Sequence, residues 1–273
     1  MLNFEVNSDD VFLVTFMKSG TTWMQEAAWL LLNELDFNRA RTEDLVNRSP
    51  YLEFEGFAID SPENIIDAFN KLPSPRLIKT HLPVNLLPKQ LWQKKQKIIF
   101  LARNVKDVVV SSYHFLQQVN FWGNGTLDDF VEDFMNNELM FTPFWPRLLD
   151  FWQLRHEPHV FFVTYEEMSR DLAGVLQRLC KFLERPEIST QQLEQLVDHL
   201  SFQRMKENKR TNLRHAIDRL GQAKNPSFEF MRRGIVGTYK DELTPQQICL
   251  LDLWSSEILN KHGLKEEDIF GKI

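Results

Sequence analysis

The chain has 273 residues, 43% hydrophobic and 26% charged, a globular composition with room for one large domain or two small ones. A formal net charge of −6 argues against nucleic acid or an anionic membrane as the main partner. Only Cys180 and Cys249 are present, which excludes a disulfide framework or a paired-cysteine metal site and suits a reducing cytosol.

Taken in chain order, the N-terminus lacks a basic stretch followed by a long apolar run, so no secretory leader is expected. No apolar run approaches the roughly 20 residues of a membrane span. The glycosylation patterns at Asn47 and Asn124 are therefore read as chance matches. Residues 11–16 form an apolar, β-rich run that predicts a strand covered on both faces. The segment Lys18-Ser19-Gly20-Thr21-Thr22-Trp23 follows it and opens a helix predicted over 23–35, whose apolar residues recur at a 3.6-residue period. A strand–loop–helix of this kind presents backbone N–H groups and the positive end of a helix dipole to an anion. Lys18 adds a charge, Ser19, Thr21 and Thr22 add hydroxyls, and Gly20 permits close backbone approach. The order is not that of a Walker A loop, in which Lys follows the second Gly.

Further strands are predicted over 76–80, 97–102 and 159–164, alternating with helical patterns over 107–119 and 171–183. Lys79-Thr80-His81-Leu82-Pro83 follows the second strand. Arg103 ends the third, with Asp107 as a candidate cap and Ser111 about one turn further on. Taken alone, this segment reads as a solvated strand end. The polar stretch 204–230 fits either a solvated loop or a flap that orders over an anion. Phe230-Met231-Arg232-Arg233-Gly234 offers two adjacent guanidiniums suited to phosphate. Thr244-Pro245-Gln246-Gln247 reads as a capping box opening a helix to His262, with Gly263 closing it. Acidic clusters at Asp128-Asp129 and Glu266-Glu267-Asp268 are expected to face solvent, and no paired-carboxylate or metal site is expected.

These segments, in this order, resemble the cytosolic sulfotransferases. The resemblance rests on Lys18 to Trp23, on Lys79-Thr80-His81, on Arg103-Asn104-Val105-Lys106-Asp107 with Ser111, and on Arg232-Arg233-Gly234 with Gly237 and Lys240. It implies one α/β domain over 1–273, with a central parallel sheet, helices on both faces and a P-loop-like site for a 5′-phosphosulfate. It implies sulfuryl transfer from 3′-phosphoadenosine 5′-phosphosulfate (PAPS) to a hydroxyl or amine of a small molecule, giving 3′-phosphoadenosine 5′-phosphate (PAP) and needing no metal. Carried over, Lys18, Ser19, Gly20, Thr21 and Thr22 would hold the 5′ end. Trp23, Tyr165 and Phe202 would stack on adenine, and Arg103, Ser111, Met231, Arg232, Arg233 and Gly234 would surround the 3′-phosphate. His81 would be the general base, with Lys18 and Lys79 stabilising charge on the sulfuryl group and the leaving phosphate.

The chain departs from the family pattern at Thr238-Tyr239, at Arg233 and at Leu200, where relatives place a hydrogen-bonding Thr. It also begins close to the first strand, where relatives carry some tens of residues that wall the acceptor pocket, so a more open pocket is expected. That pocket is expected to be lined by aromatics within 54–57, 113–121 and 141–145. Pro245 and Cys249 replace residues of the family's dimerisation segment, which implies a monomer or a weak dimer. The rival readings are a P-loop-like small-molecule kinase needing ATP and Mg²⁺, a sulfation-driven dehydratase of an alcohol, and a binding protein without turnover.

Overall fold

A computed structural model describes residues 1–53, 65–119, 121–212 and 229–272. The expected aromatics at 54–57 and most of the 204–230 stretch lie outside the described residues.

Four parallel strands, β1 (Val11–Thr15), β2 (Leu77–Thr80), β3 (Lys97–Ala102) and β4 (Val160–Thr164), form one sheet in the order β2-β1-β3-β4. The register pairs Val11 with Leu77 and with Lys97, and Ile98 with Val160. The described helices are α1 (Thr21–Leu32), α2 (Phe37–Thr42), α3 (Leu45–Arg48), α4 (Ile65–Asn70), α5 (Lys89–Gln93), α6 (Val105–Gln118), α7 (Leu127–Met135), α8 (Phe144–Leu154), α9 (Tyr165–Arg170), α10 (Leu172–Phe182), α11 (Thr190–His199), α12 (Phe202–Glu207), α13 (Pro245–Asn260) and α14 (Glu266–Phe270).

Side chains alternate across each strand, so one sheet feeds two cores. Phe12, Val14, Ile98 and Phe100 pack with α6, α7, α8 and α13. Val11, Leu13, Ile99 and Leu101 pack with α1, α10 and α11 on the opposite face. The expected parallel sheet with helices on both faces is what the chain forms.

Several boundaries differ from expectation for local reasons. Helix α1 stops at Leu32 because Glu34 and Leu35 adopt positive φ, which ends the regular turn before residue 35. The 171–183 helix is α10, and Asp171 caps it by accepting from the Gly174 N–H, separating it from α9. Asp107 does not cap α6; Asn104 does, accepting from the Asp107 N–H. Asp107 instead accepts from the backbone N–H groups of Gly237 and Tyr239, tying the C-terminal segment to α6. The Thr244 capping box is present, but α13 ends at Asn260, with Gly263 in the left-handed region beyond it. Glu266 does not face solvent freely, since its carboxylate pairs with the buried ammonium of Lys106. Asp128 similarly accepts from Gln247 of α13.

Candidate active site

The site lies along the carboxyl ends of the strands, where β1 has β2 on one side and β3 on the other. An open parallel sheet leaves a crevice there, because the connections from its central strand leave toward opposite faces. Each strand delivers a site residue as it ends. β1 leads into the Lys18 loop, β2 into His81, β3 into Arg103 and β4 into Tyr165. A cavity of about 320 Å³ joins them.

The loop after β1 is shaped by two left-handed residues, Lys18 at φ 61° and Gly20 at φ 97°. A side chain at Gly20 would place a Cβ 2.5 Å from the Tyr165 ring, so both conformation and space demand glycine. Gly20 offers α1 no side-chain cap, which leaves the helix's first turn free of a competing acceptor. Thr21 and Thr22 line the cavity, as does Lys18. Ser19 does not: its fully buried hydroxyl lies behind the loop, beside Phe16 and Arg147.

Lys18 sits over the Phe230 and Phe115 rings at 3.8 and 4.6 Å. Its ammonium is pushed down to about 7, first by burial and then by Arg103, Lys79 and Arg232. Lys79 is lowered to about 8 by burial, opposed by the Glu53 carboxylate. Both ammoniums face the cavity, so this is a cluster of like charges held in a poorly solvated place.

His81 is buried one residue beyond β2, between the rings of Tyr51 and Phe141 at 5.1 and 5.3 Å. Its Nδ1 lies 2.9 Å from the Thr15 carbonyl and 3.0 Å from the Thr15 hydroxyl. A carbonyl only accepts, so Nδ1 carries the proton and Nε2 keeps its lone pair. Burial, and then Lys79, hold the imidazole well below the ordinary histidine range, so it is neutral and basic at Nε2.

The same cavity also holds the predicted aromatic and guanidinium groups. Trp23 packs edge-on against Tyr165 at 5.3 Å, and the Arg103 guanidinium lies 4.3 Å from the Tyr165 ring centroid. Arg103 donates to the Lys18 carbonyl and pairs with Asp107 at 3.6 Å. Ser111, Phe202, Met231, Arg232, Arg233 and Gly234 line the same region. Gly234, at φ 69°, lies so close to Phe202 that an added Cβ would meet its ring at 2.1 Å. Arg232 pairs with Glu242, which also bonds His114, while Arg233 pairs with Asp241 at the rim. Leu200, completely buried, presents only an apolar surface at the position where a hydrogen bond was in doubt.

A matching Sulfotransferase domain family model covers residues 8–263. The chain belongs to the sulfotransferase family. Sulfotransferase 1 family member D1 of Mus musculus is 36% identical over 90% of this chain and 81% of its own length. The luciferin sulfotransferase of Photinus pyralis is 34% identical over 97% of this chain and 76% of its own. A retinol dehydratase structure in complex with androsterone and PAP superposes with a TM-score of 0.87 at 26% identity, covering 98% of this chain and 85% of that one. As in the sequence reading, this sulfotransferase brings the Lys18 loop, His81 and the Arg103 and Arg232 segments into one cavity.

The expected acceptor wall is only partly where it was placed. Phe115, Leu116, Val119, Phe121 and Phe141 line the cavity. Phe144 and Trp145 do not, because the first turn of α8 turns them into the core against Phe16 and Trp254. Tyr113 packs on Trp122 and Phe130. Sequence reasoning missed Thr15, Tyr51, Glu53 and Arg147. Thr15 carried a signal, as the last residue before the phosphate loop; the others act across long sequence separations.

Proposed function

We propose that this sulfotransferase moves the sulfuryl group of PAPS to the hydroxyl of a small, largely apolar acceptor, with His81 Nε2 taking the acceptor's proton. The observation that carries this is the tautomer of His81. A neutral imidazole, fixed through Nδ1 by Thr15, turns its basic nitrogen away from that bond, beside Lys18 and Lys79.

The donor set fits the nucleotide. Burial, and then Arg103, Lys79 and Arg232, disfavour the charged form of Lys18, and an anion among these groups relieves that repulsion. Trp23, Tyr165 and Phe202 supply flat apolar surface for a base, and the buried Trp23 Nε1–H has no hydrogen-bond partner among the described residues. Lys18, Thr21 and Thr22 would hold the 5′-phosphosulfate, and Arg103, Ser111 and the 231–234 segment the 3′-phosphate. PAPS supplies an activated sulfur: the acceptor oxygen–sulfur bond forms as the sulfur–phosphate oxygen bond breaks, and PAP leaves. His81 takes the acceptor's proton at Nε2. Lys18 and Lys79 offset charge on the sulfuryl and bridging oxygens. Phe115, Phe141 and Val119 exclude water and favour an apolar ring or chain beside the reacting hydroxyl.

Residues 1–273 act as one sulfotransferase domain in this reading, working in the cytosol as a monomer or a weak homodimer. Support comes from the two cysteines, Cys180 and Cys249, which are both free, as suits a reducing compartment. The similarity to retinol dehydratase favours one second reading, in which sulfation of an alcohol is followed by elimination. Incubation with PAPS and a phenol, and separately with an allylic alcohol, followed by mass spectrometry, tests both. A sulfate ester is expected. Dehydrated product with free sulfate selects the second reading, and phosphorylated product with ATP and Mg²⁺ overturns both.

A further inference from the structure

His81 lies just past the last paired residue of β2, since the ladder to β1 ends at Val14 and Thr80. Its peptide therefore has no sheet partner, and buried peptide groups without partners are rare because each costs a desolvation penalty. Two buried charged side chains supply the bonds instead. Glu53 Oε1 accepts from the His81 N–H at 2.6 Å. Arg147, on α8, donates to the His81 carbonyl. Glu53 reaches that place because residues 50–52 bond to Lys79 along the outer edge of β2, and the chain then arrives beside the strand's end.

We propose that Glu53 is a positioning residue for the transfer: it fixes the His81 peptide at the end of β2 and supplies the negative charge that acts on Lys79. It does not line the cavity, so it touches neither donor nor acceptor. The proposal rests on the sulfotransferase reading above. The titratable and charged groups around Glu53 are Tyr51 beside it, Lys79 on β2, His81 just beyond that strand, and Arg147 on α8. Of these, Lys79 is lowered to about 8 and Arg147 to about 10 by burial, and the Glu53 carboxylate opposes both shifts. Burial raises Glu53 itself to about 7, opposed by the bonds from the His81 N–H and Thr80, so it is ionised above neutrality, where Lys79 begins to lose its proton.

Two substitutions separate the parts. Glu53→Gln keeps an oxygen that accepts from the His81 N–H but removes the charge. Glu53→Asp keeps the charge but shortens the reach. The measurement is kcat and kcat/KM for PAPS from pH 6 to 10, with wild type in the same assay. For Glu53→Gln we expect a plateau kcat within a few-fold of wild type and an alkaline limb of kcat/KM moved down by about one pH unit, because Lys79 loses the charge that favours its ammonium. For Glu53→Asp we expect kcat lower by about ten-fold or more, with the alkaline limb where wild type has it. A purely structural role would lower the melting temperature and kcat in both and leave the limb in place. An unmoved limb in Glu53→Gln, or a moved limb or wild-type kcat in Glu53→Asp, overturns the proposal. If one variant fails to fold, the other decides by its own pattern. Wild type that turns over no PAPS overturns the sulfotransferase reading and this proposal with it, whereas an active wild type with the wrong variant pattern overturns this proposal alone.

Discussion

In the proposed reading His81 combines three conditions that a general base needs: a fixed tautomer, a neutral ring and a lone pair available in the cavity beside cations that would receive developing negative charge. His81→Ala is expected to lower kcat by about 10²–10⁴ while PAP affinity changes little, because the ring does not hold a phosphate. Isothermal titration alongside initial rates checks this, and a rate within a few-fold of wild type removes His81 from the mechanism. Lys18 adds a pH signature. Its folded value of about 7 lies below its unfolded value, so the free protein releases this proton as pH rises through 7, and Lys79 follows near 8. Bound phosphate favours both ammoniums, so PAP binding at pH 8 should take up about one proton or slightly more. Calorimetry in buffers of different ionisation enthalpy reads the number directly; zero uptake at pH 8 contradicts the lowered values. The same depressed values mean that charged Lys18 costs the free fold stability below pH 7. That cost fades as pH rises from 7 toward the unfolded lysine value.

At the scale of elements, α1 is held from behind by a buried ionic group. Glu26 accepts from Arg48 of α3 at 2.7 Å and pairs with His199 of α11 at 2.8 Å, all three side chains being nearly inaccessible. Removing one member leaves the others buried and uncompensated, so Glu26→Ala should cost about 3–5 kcal/mol in urea unfolding. A loss under about 1 kcal/mol would mean that the group is hydrated rather than buried. Gly234 belongs to another element, the 231–234 segment that lines the cavity and is proposed to hold the 3′-phosphate. Gly234→Ala meets both the positive φ and the Phe202 ring, a strain of about 1–2 kcal/mol, so PAP affinity should fall about ten-fold. Unchanged affinity would show that this segment does not contact the ligand. The four strands were legible in the sequence because burial on both faces leaves near-continuous apolar runs. The phosphate loop was legible because its order is rare. The short helix α9 just before Asp171 was not legible, since six residues are too few to show a period, and Asp171 starts the longer pattern afresh by capping α10. Glu53 and Arg147 were not legible, because each bonds the backbone of His81 from 28 and 66 residues away. A partner that recognises a peptide group puts no constraint on the side chain there.

For the whole molecule, the central claim is that one cavity holds two phosphate groups at opposite ends of an adenosine. The strand order places the Lys18 loop on β1, between β2 and β3, and Arg103 at the end of β3, with the 231–234 segment brought to the same place by the bonds of Asp107 to Gly237 and Tyr239. No local part of the sequence states that convergence; it follows from the parallel topology. The direct test is a titration of PAP, 5′-AMP and ATP with Mg²⁺ into the same protein. Charge-assisted bonds contribute about 1.5–3 kcal/mol each, so two of them to the 3′-phosphate imply that PAP binds at least about a hundred-fold tighter than 5′-AMP, without Mg²⁺. Arg103→Ala should shrink that gap and leave 5′-AMP binding nearly unchanged. Equal affinity for PAP and 5′-AMP, or a clear preference for ATP with Mg²⁺, would contradict the account.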